Sequence, residues 1–160
     1  MDINSINFTD KVRDIFALSA ELSNSNKNQY IDTVHILYSI INTPCLGKTL
    51  LEDSNLDIDK LKNILNKEIN LVPVSNNSNN KIEITSSLAQ ALKNAEDEAK
   101  KIGDSYVATD LISLAILEDK IKSNSFNIDI NINDLKKSIN NNRENNKMNS
   151  PSAENLEEFL

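Results

Sequence analysis

Apolar residues recur three and four positions apart along most of this chain, the spacing that puts them on one face of a helix. Val12, Ile15, Phe16, Ser19 and Ala20 mark the first such face, and Thr9 or Asp10 stands where a side chain would accept hydrogen bonds from the free amides of the first turn. After a polar turn from Ser23 to Gln29, Thr33 is placed to cap a second helix carrying Ile36, Leu37, Ile40 and Ile41, which Pro44 stops. A short helix around Leu46 to Glu52 and a longer one from Ile58 to Ile69 follow, the latter apolar at Leu61, Ile64, Leu65 and Ile69. The stretch from Val74 to Lys81 is rich in asparagine and has no apolar periodicity, so it reads as a flexible connector between two halves.

The second half repeats the order of the first. Thr85 precedes a helix with Leu88, Ala91, Leu92, Ala95, Ala99 and Ile102 on one face; Gly103 and Asp104 end it, and Thr109 opens another with Ile112, Ala115 and Ile116. Tyr30, Ile31, Asp32 and Thr33 stand 76 positions before Tyr106, Val107, Ala108 and Thr109. The same shift pairs Phe8 with Ile84, Thr9 with Thr85, Val12 with Leu88, Phe16 with Leu92, Ile36 with Ile112 and Ile40 with Ile116. Further on, Leu56, Ile58, Leu61 and Leu65 match Ile130, Ile132, Leu135 and Ile139 at a shift of 74, two residues having been lost between. Amphipathic helices align apolar positions by chance, but chance does not explain the paired Tyr-x-x-Thr, an aromatic anchor before a turn and a capping residue after it. The chain therefore predicts an all-α fold, a pseudo-twofold duplicated four-helix repeat of about eight helices in which the two units bury their apolar stripes against each other in one compact domain.

Composition narrows the function classes. The 160 residues suffice for one ordinary domain, and two glycines with 4% aromatics disfavour turn-rich β-sandwiches and barrels. A net charge of −7 with scattered lysines argues against nucleic acid as the partner. No apolar run reaches the roughly 18 residues of a membrane span, and Met1 to Phe8 lack the pattern of a signal peptide. The expectation is a soluble protein, cytoplasmic by default, with an organelle or secretory compartment open because a leader removed before Met1 would leave no trace. Cys45 is the only cysteine and His35 the only histidine, so no metal-spaced pair exists, and both read as structural residues. With glycine only at 47 and 103, no Gly-x-x-x-x-Gly-Lys phosphate loop is present. The run Glu96, Asp97, Glu98 points in three directions on a helix and reads as a solvated face.

The segment Tyr30 to Leu37 (Tyr-Ile-Asp-Thr-Val-His-Ile-Leu) resembles the signature of the first Clp amino-terminal repeat, and Gly103 to Leu111 (Gly-Asp-Ser-Tyr-Val-Ala-Thr-Asp-Leu) resembles that of the second. The resemblance runs from about Phe8 to Asn140. Two branches of the family compete. The ClpC-like branch tends to carry Gly-Thr-Glu-His in both repeats, where the glutamates help bind phosphorylated arginine and the surface docks adaptor proteins. Here Val34 takes the glutamate position of the first copy and Leu111 the histidine position of the second, an asymmetry similar to the ClpB-like branch of AAA+ disaggregases.

The ClpB resemblance implies a substrate-recruiting domain without an active site, cofactor or metal of its own. It further implies that ATP and Mg bind in downstream AAA+ modules absent from this chain, that the fragment is monomeric and its parent hexameric, and that the partners are unfolded or aggregated polypeptides. Adaptor docking on a ClpC-like parent is the alternative, and intake for a protein translocation machine is a further role the resemblance allows. The domain is expected over 1–145, with repeats at about 8–71 and 84–140, and 146–160 as a linker toward the AAA+ module. By resemblance, Thr9, Asp104 and Asp110 contact the client, Asp110 replacing the usual glutamate. Read from the residues alone, Thr9 is a helix cap, Asp104 ends a turn and Asp110 favours the positive end of its helix. If the two aspartates are surface charges, replacing them should change stability by no more than about 0.5 kcal/mol. Relatives carry apolar side chains near Asn94 and Glu98 that help line a client groove; here both positions are polar.

Overall fold

A computed structural model describes residues 3–75 and 83–155. The asparagine cluster of the expected connector and the tail from Leu156 to Leu160 lie outside the described residues. Seven α-helices follow a short 3-10 turn at Ile3–Ser5: α1 Asp10–Ser25, α2 Thr33–Ile41, α3 Leu46–Asp53, α4 Ile58–Leu71, α5 Ser86–Ile102, α6 Thr109–Lys122 and α7 Ile132–Arg143. Among the described residues there is no strand, only isolated bridges. None of the described helices is long and apolar enough to cross a membrane.

Local chemistry fixes the helix ends. Thr9 and Thr85 cap α1 and α5, each accepting from the amide three residues on, Val12 at 3.2 Å and Leu88 at 3.1 Å. The cap of α2 is Asp32 rather than the expected Thr33: its carboxylate takes the Thr33 amide at 2.7 Å while His35 Nδ1 accepts from the Asp32 amide at 2.9 Å. That closes a reciprocal cap of the capping-box kind. Gly103 ends α5 at φ 84°, a left-handed turn that costs glycine nothing.

The duplication is visible as a pseudo-twofold in backbone bonds, not only in sequence. Phe8 bridges Val107 and Ile84 bridges Ile31, mates under the 76-residue shift. Thr9 N donates to Val107 O (3.1 Å) as Thr85 N does to Ile31 O (3.0 Å), and Val107 N donates to Asn7 O (2.8 Å) as Ile31 N does to Glu83 O (2.9 Å). Each half thus presents its cap segment to the other's Tyr-x-x-Thr loop. One buried cluster runs across both halves, with Val12, Ile15, Leu37, Ile40, Leu61 and Leu65 packed together with Leu88, Leu92, Ile112, Ile116 and Leu135. Ring contact between Phe8 and Phe16 (centroids 5.6 Å apart) seals its edge.

The second copy departs from the first in one element. Nothing helical stands between α6 and α7 where α3 stands between α2 and α4, so the described helices number seven instead of about eight. The segment is two residues shorter, Asn124 sits at φ 55°, and the β-branched and polar residues Asn127 to Asn131 are weak helix formers. Phe126 is buried there instead, with the Lys120 ammonium 5.6 Å from its ring. The single α3 meets α6 at close range through Gly47, whose amide donates to Thr109 Oγ1 at 2.8 Å. A Cβ at Gly47 would lie 2.7 Å from both Ile40 Cγ2 and Ser113 Oγ and 3.0 Å from the Thr109 carbonyl. Gly47→Ala is therefore expected to destabilise the domain by about 1–3 kcal/mol, the usual cost of overpacking, despite alanine's higher helix propensity. A urea midpoint equal to or above that of the parent chain would show that α3 and α6 can part without cost.

Candidate functional site

Thr9, Asp104 and Asp110 all come to the N-terminal ends of α1 and α6, and none lies on the surface. Asp104 follows the glycine that ends α5; Asp110 occupies the first turn of α6. Between them stands Arg143, the last residue of α7. Its Nε donates to Asp110 Oδ2 at 2.7 Å and its Nη2 to Oδ1 at 2.9 Å, a two-pronged pair, while Nη1 donates to Asp104 Oδ1 at 3.1 Å and lies 2.9 Å from Oδ2. The side chains of the three residues are at most 5% exposed. Burial works against the guanidinium charge, but the hydrogen bonds and charge of Asp110, with those of Asp104, outweigh it and hold the Arg143 pKa above its usual value. Met148 N donates to Asp104 Oδ1 at 3.0 Å, and Leu111 N to Asp110 Oδ1 at 2.8 Å. The expectation that the aspartates are surface charges is corrected: both are buried and paired with a buried arginine.

Thr9 also faces inward. Its hydroxyl donates to Glu154 Oε1 at 2.7 Å. Glu154, fully buried, further accepts from Thr109 N at 3.0 Å, from Leu46 N at 3.2 Å and from the Thr109 hydroxyl. Burial lifts the Glu154 pKa to about 7; the hydrogen bonds from Thr109 and Thr9 oppose that rise, and the charge of Asp110 adds to it. Residues 146–155, expected as the start of a linker, thus lie against the domain: Pro151 O accepts from Asp10 N at 2.7 Å, and Met148 packs in a small cluster with Leu46 and Ala108.

The two residues singled out for chemistry by type are structural. Besides closing the cap of α2, His35 places Nε2 2.9 Å from Asn28 Oδ1, and burial lowers its pKa, so it sits in the core as a neutral ring. The Cys45 thiol is buried, which pushes its pKa up and away from nucleophilic reactivity. No cluster of His, Cys, Asp or Glu arranged to hold a metal occurs among the described residues.

The surface offers a groove instead. Between α5 and α6, Leu111, Leu114 and Ala115 form its floor, and Asp97, Glu98, Glu118 and Asp119 with Lys101 and Lys122 its rim. Its volume of about 410 Å³ takes a few side chains, not a folded surface. Rim pairs such as Lys122–Glu118 (3.3 Å) and Lys101–Glu98 (3.8 Å) join exposed lysines to half-buried glutamates at the surface and are weak, so they yield to a ligand at little cost.

The comparisons with known proteins decide the family. The model of the Clp repeat (R) N-terminal domain matches residues 7–126. The chain belongs to this family. Curated relatives of the Clp domain include the chaperone protein ClpB of Chlamydia caviae, 30% identical over 151 residues, and that of Bacillus anthracis, 31% identical over 124. The alignments take in 92% and 75% of this chain but only 18% and 14% of those proteins. Among solved structures, the Hsp104 N-terminal domain from Candida albicans superposes with a TM-score of 0.75 at 25% identity, covering 92% of this chain and 99% of that one. A structure from a malarial protein secretion system has the same fold, with a TM-score of 0.72 at 19% identity over 88% of this chain and 97% of its own. The Clp domain's all-helical, single-domain architecture and its likeness to ClpB chaperones are as the two signature segments imply.

Sequence reasoning missed Arg143 and Glu154, the residues that organise this end of the domain. Arg143 is one of only two arginines in the chain, and its mate under the 74-residue shift is the buried Ile69. A lone arginine in an asparagine-rich stretch at a core position was the available signal.

Proposed function

We propose that this Clp domain recruits unfolded polypeptide for a longer, ATP-driven unfoldase of the ClpB type, holding its client weakly in the groove between α5 and α6. ATP and Mg would bind in AAA+ modules outside these 160 residues, in a hexameric parent. Support for a longer parent comes from the relatives, of which this chain spans less than a fifth. The observation that carries the client reading is the groove's chemistry: a rim of four carboxylates and two lysines, a net charge of −2, over a narrow, largely buried apolar strip of Leu111, Leu114 and Ala115. Such a site suits extended segments that mix aliphatic or aromatic side chains with lysine or arginine. Asn94 and Glu98 make the groove more polar than an aliphatic-lined one, which shifts preference toward basic clients.

Thr9, Asp104 and Asp110 enter this reading as positioning residues. We infer that they act on client binding by fixing α1 and the start of α6, the helix that supplies Leu111, Leu114 and Ala115 to the groove floor, rather than by touching the client.

Charge reversal tests the groove directly. Asp97→Lys and Asp119→Lys, both at exposed positions, are expected to weaken binding of an unfolded basic polypeptide by about two- to fivefold each, with only a small drop in thermal midpoint, larger for Asp97, whose exposed pair with Lys93 (3.3 Å) is lost. The affinity of the parent chain should itself fall with added salt. Binding that ignores both substitutions, or that is competed by a folded adaptor and not by unstructured peptide, would sink this reading in favour of adaptor docking.

A further inference from the structure

The pseudo-twofold exposes a substitution of one carboxylate for another across the chain. In the first repeat, Asp32 Oδ1 accepts from Thr33 N (2.7 Å) and from Thr85 Oγ1 (2.8 Å), joining the cap of α2 to the cap of α5. Under the 76-residue shift the mates are Ala108, Thr109 and Thr9. Ala108 has no acid to offer, and α6 starts without a side-chain cap of its own. Glu154 supplies it from the far end of the chain: Oε1 accepts from Thr109 N (3.0 Å) and Thr9 Oγ1 (2.7 Å), the same two bonds mate for mate. Its Oε2 accepts from Leu46 N (3.2 Å), the first amide of α3, and from the Thr109 hydroxyl. Two helix starts and two threonine hydroxyls therefore make a carboxylate cradle, and the segment that leaves the domain fills it.

The difference between the two carboxylates is how they are tethered. Asp32 belongs to the helix it caps and cannot leave it. Glu154 sits on a strap, residues 149–155, that contains no α-helix and packs few large apolar groups; its other long-range backbone bond runs from Asp10 N to Pro151 O (2.7 Å). Met148, just before it, is anchored by bonds from Ser105 N and Tyr106 N (2.9 and 3.0 Å) and by its own buried side chain. A segment firmly held at one end, and beyond it by one backbone bond, the small side chain of Ala153 and the Glu154 carboxylate, can detach as a unit.

We propose that residues 149–155 form a releasable latch, with Glu154 as its pin in the cradle of Thr9, Leu46 and Thr109, and that withdrawing the pin frees the outgoing chain while the helical core stays folded. The outgoing chain thus has two states, one held along the ends of α1, α3 and α6 and one swinging from Met148. This inference is independent of what the groove binds.

Acidity bears on the same latch. The groups facing Glu154 are the Cys45 thiol from α3 and Asp110 from α6, with Arg143 and Asp104 behind Asp110; Asp10, at the start of α1, is exposed. Burial, the leading cause, raises the pinned carboxyl's pKa from 4.5 to about 7. The docked state therefore holds its proton more tightly than the released one, so docking weakens as pH rises from about 4.5 to about 7 and is level above that.

Amide exchange on the 160-residue chain tests the latch. In Glu154→Ala, the amides of Asp10, Leu46 and Thr109, whose partners lie on the strap, should exchange at least about tenfold faster, with protection in α2 and α4 unchanged. Two outcomes overturn the proposal: those three amides staying as protected as in the parent, or α2 and α4 losing protection in parallel, which would make the strap part of the core. Between pH 5 and pH 8 the parent's three amides should lose protection by roughly tenfold to a hundredfold beyond the intrinsic pH dependence of exchange. Glu154→Gln stays neutral, and its amide oxygen can still accept from Thr109 N and Thr9 Oγ1 although its amide nitrogen cannot accept from Leu46 N; it should keep the Thr109 amide protected and lose that extra dependence. A slope that persists in Glu154→Gln would assign it to another group and remove protonation from the latch.

Discussion

Arg143→Met is expected to lower the unfolding free energy of this domain by about 3–5 kcal/mol, the cost of leaving buried charges without their partner. The substitution keeps much of the side-chain volume and removes only the cation, so Asp104 and Asp110, with side chains at most 3% exposed, must either stay charged in an apolar setting or take up protons. Against the 5–15 kcal/mol typical of a domain, that loss is a large share of the total. The same logic raises the effect of Asp110→Ala far above the about 0.5 kcal/mol of a surface charge, since it strips the guanidinium of both of its paired bonds. Adding Asp104→Asn and Asp110→Asn to Arg143→Met should recover more than half of the loss: asparagine keeps the oxygens that accept from Met148 N and Leu111 N while all three buried charges are removed together. Urea unfolding of the three chains, followed by far-UV circular dichroism, gives the comparison. A cost below about 1 kcal/mol for Arg143→Met would mean that water reaches the triad and that its burial is not maintained.

That triad also governs how effects on client binding are to be read. Any variant of Thr9, Asp104 or Asp110 disturbs a helix cap or a buried ion pair, so a loss of binding in proportion to lost stability is the structural outcome. Binding lost at full stability would point to contact. The groove positions Asp97 and Asp119 largely escape this ambiguity because they are exposed and the one ion pair involved, Lys93–Asp97, is a surface pair worth little.

The helices and their duplication were legible because both are written in local, repeating signals: caps three residues before a paired amide, apolar spacing of three and four, and the twin Tyr-x-x-Thr. The equivalent backbone bonds of the two halves, Thr9 to Val107 and Thr85 to Ile31, follow from that repeat almost without further information. What was not legible has the opposite character. Glu154 lies 145 positions from Thr9, and no period links them. Its one trace is an omission, Ala108 where the first copy has Asp32, which reads as a lost cap until the acid arriving from elsewhere is seen. The missing counterpart of α3 was hidden for a related reason: the apolar matches on either side align well across a loss of only two residues, which by itself does not announce a lost helix. Asp104 and Asp110 were expected at the surface because motif resemblance marks a position as important without saying whether its side chain faces solvent or a partner such as Arg143.

Dividing the chain should abolish cooperative folding. Residues 1–75 and 81–160 correspond to the two repeats, and each would have a normal complement of helical signals. Yet the buried cluster that holds Ile15, Ile36, Leu37 and Ile40 continues into Leu88, Leu92, Ile112 and Ile116, so either half alone exposes an apolar stripe normally covered by the other. The halves also exchange the backbone bonds from Thr9 to Val107 and from Thr85 to Ile31. The first half ends before Glu154 and so loses the carboxylate at Thr9 and Leu46; the second keeps Glu154 but loses two of its four donors. An isolated half therefore lacks both the apolar burial and the cap that fix its helices, and helices of this length are marginal alone in water. Each should show partial helicity by far-UV circular dichroism, a broad thermal transition without a baseline, and poor dispersion of amide proton shifts, whereas the intact chain should melt in one sharp step. Mixing the halves at concentrations well above micromolar should restore dispersion, because the surfaces that meet are those of a single core. Two halves that each melt sharply on their own would show that the repeats are separate domains in contact and that the shared cluster contributes little to either.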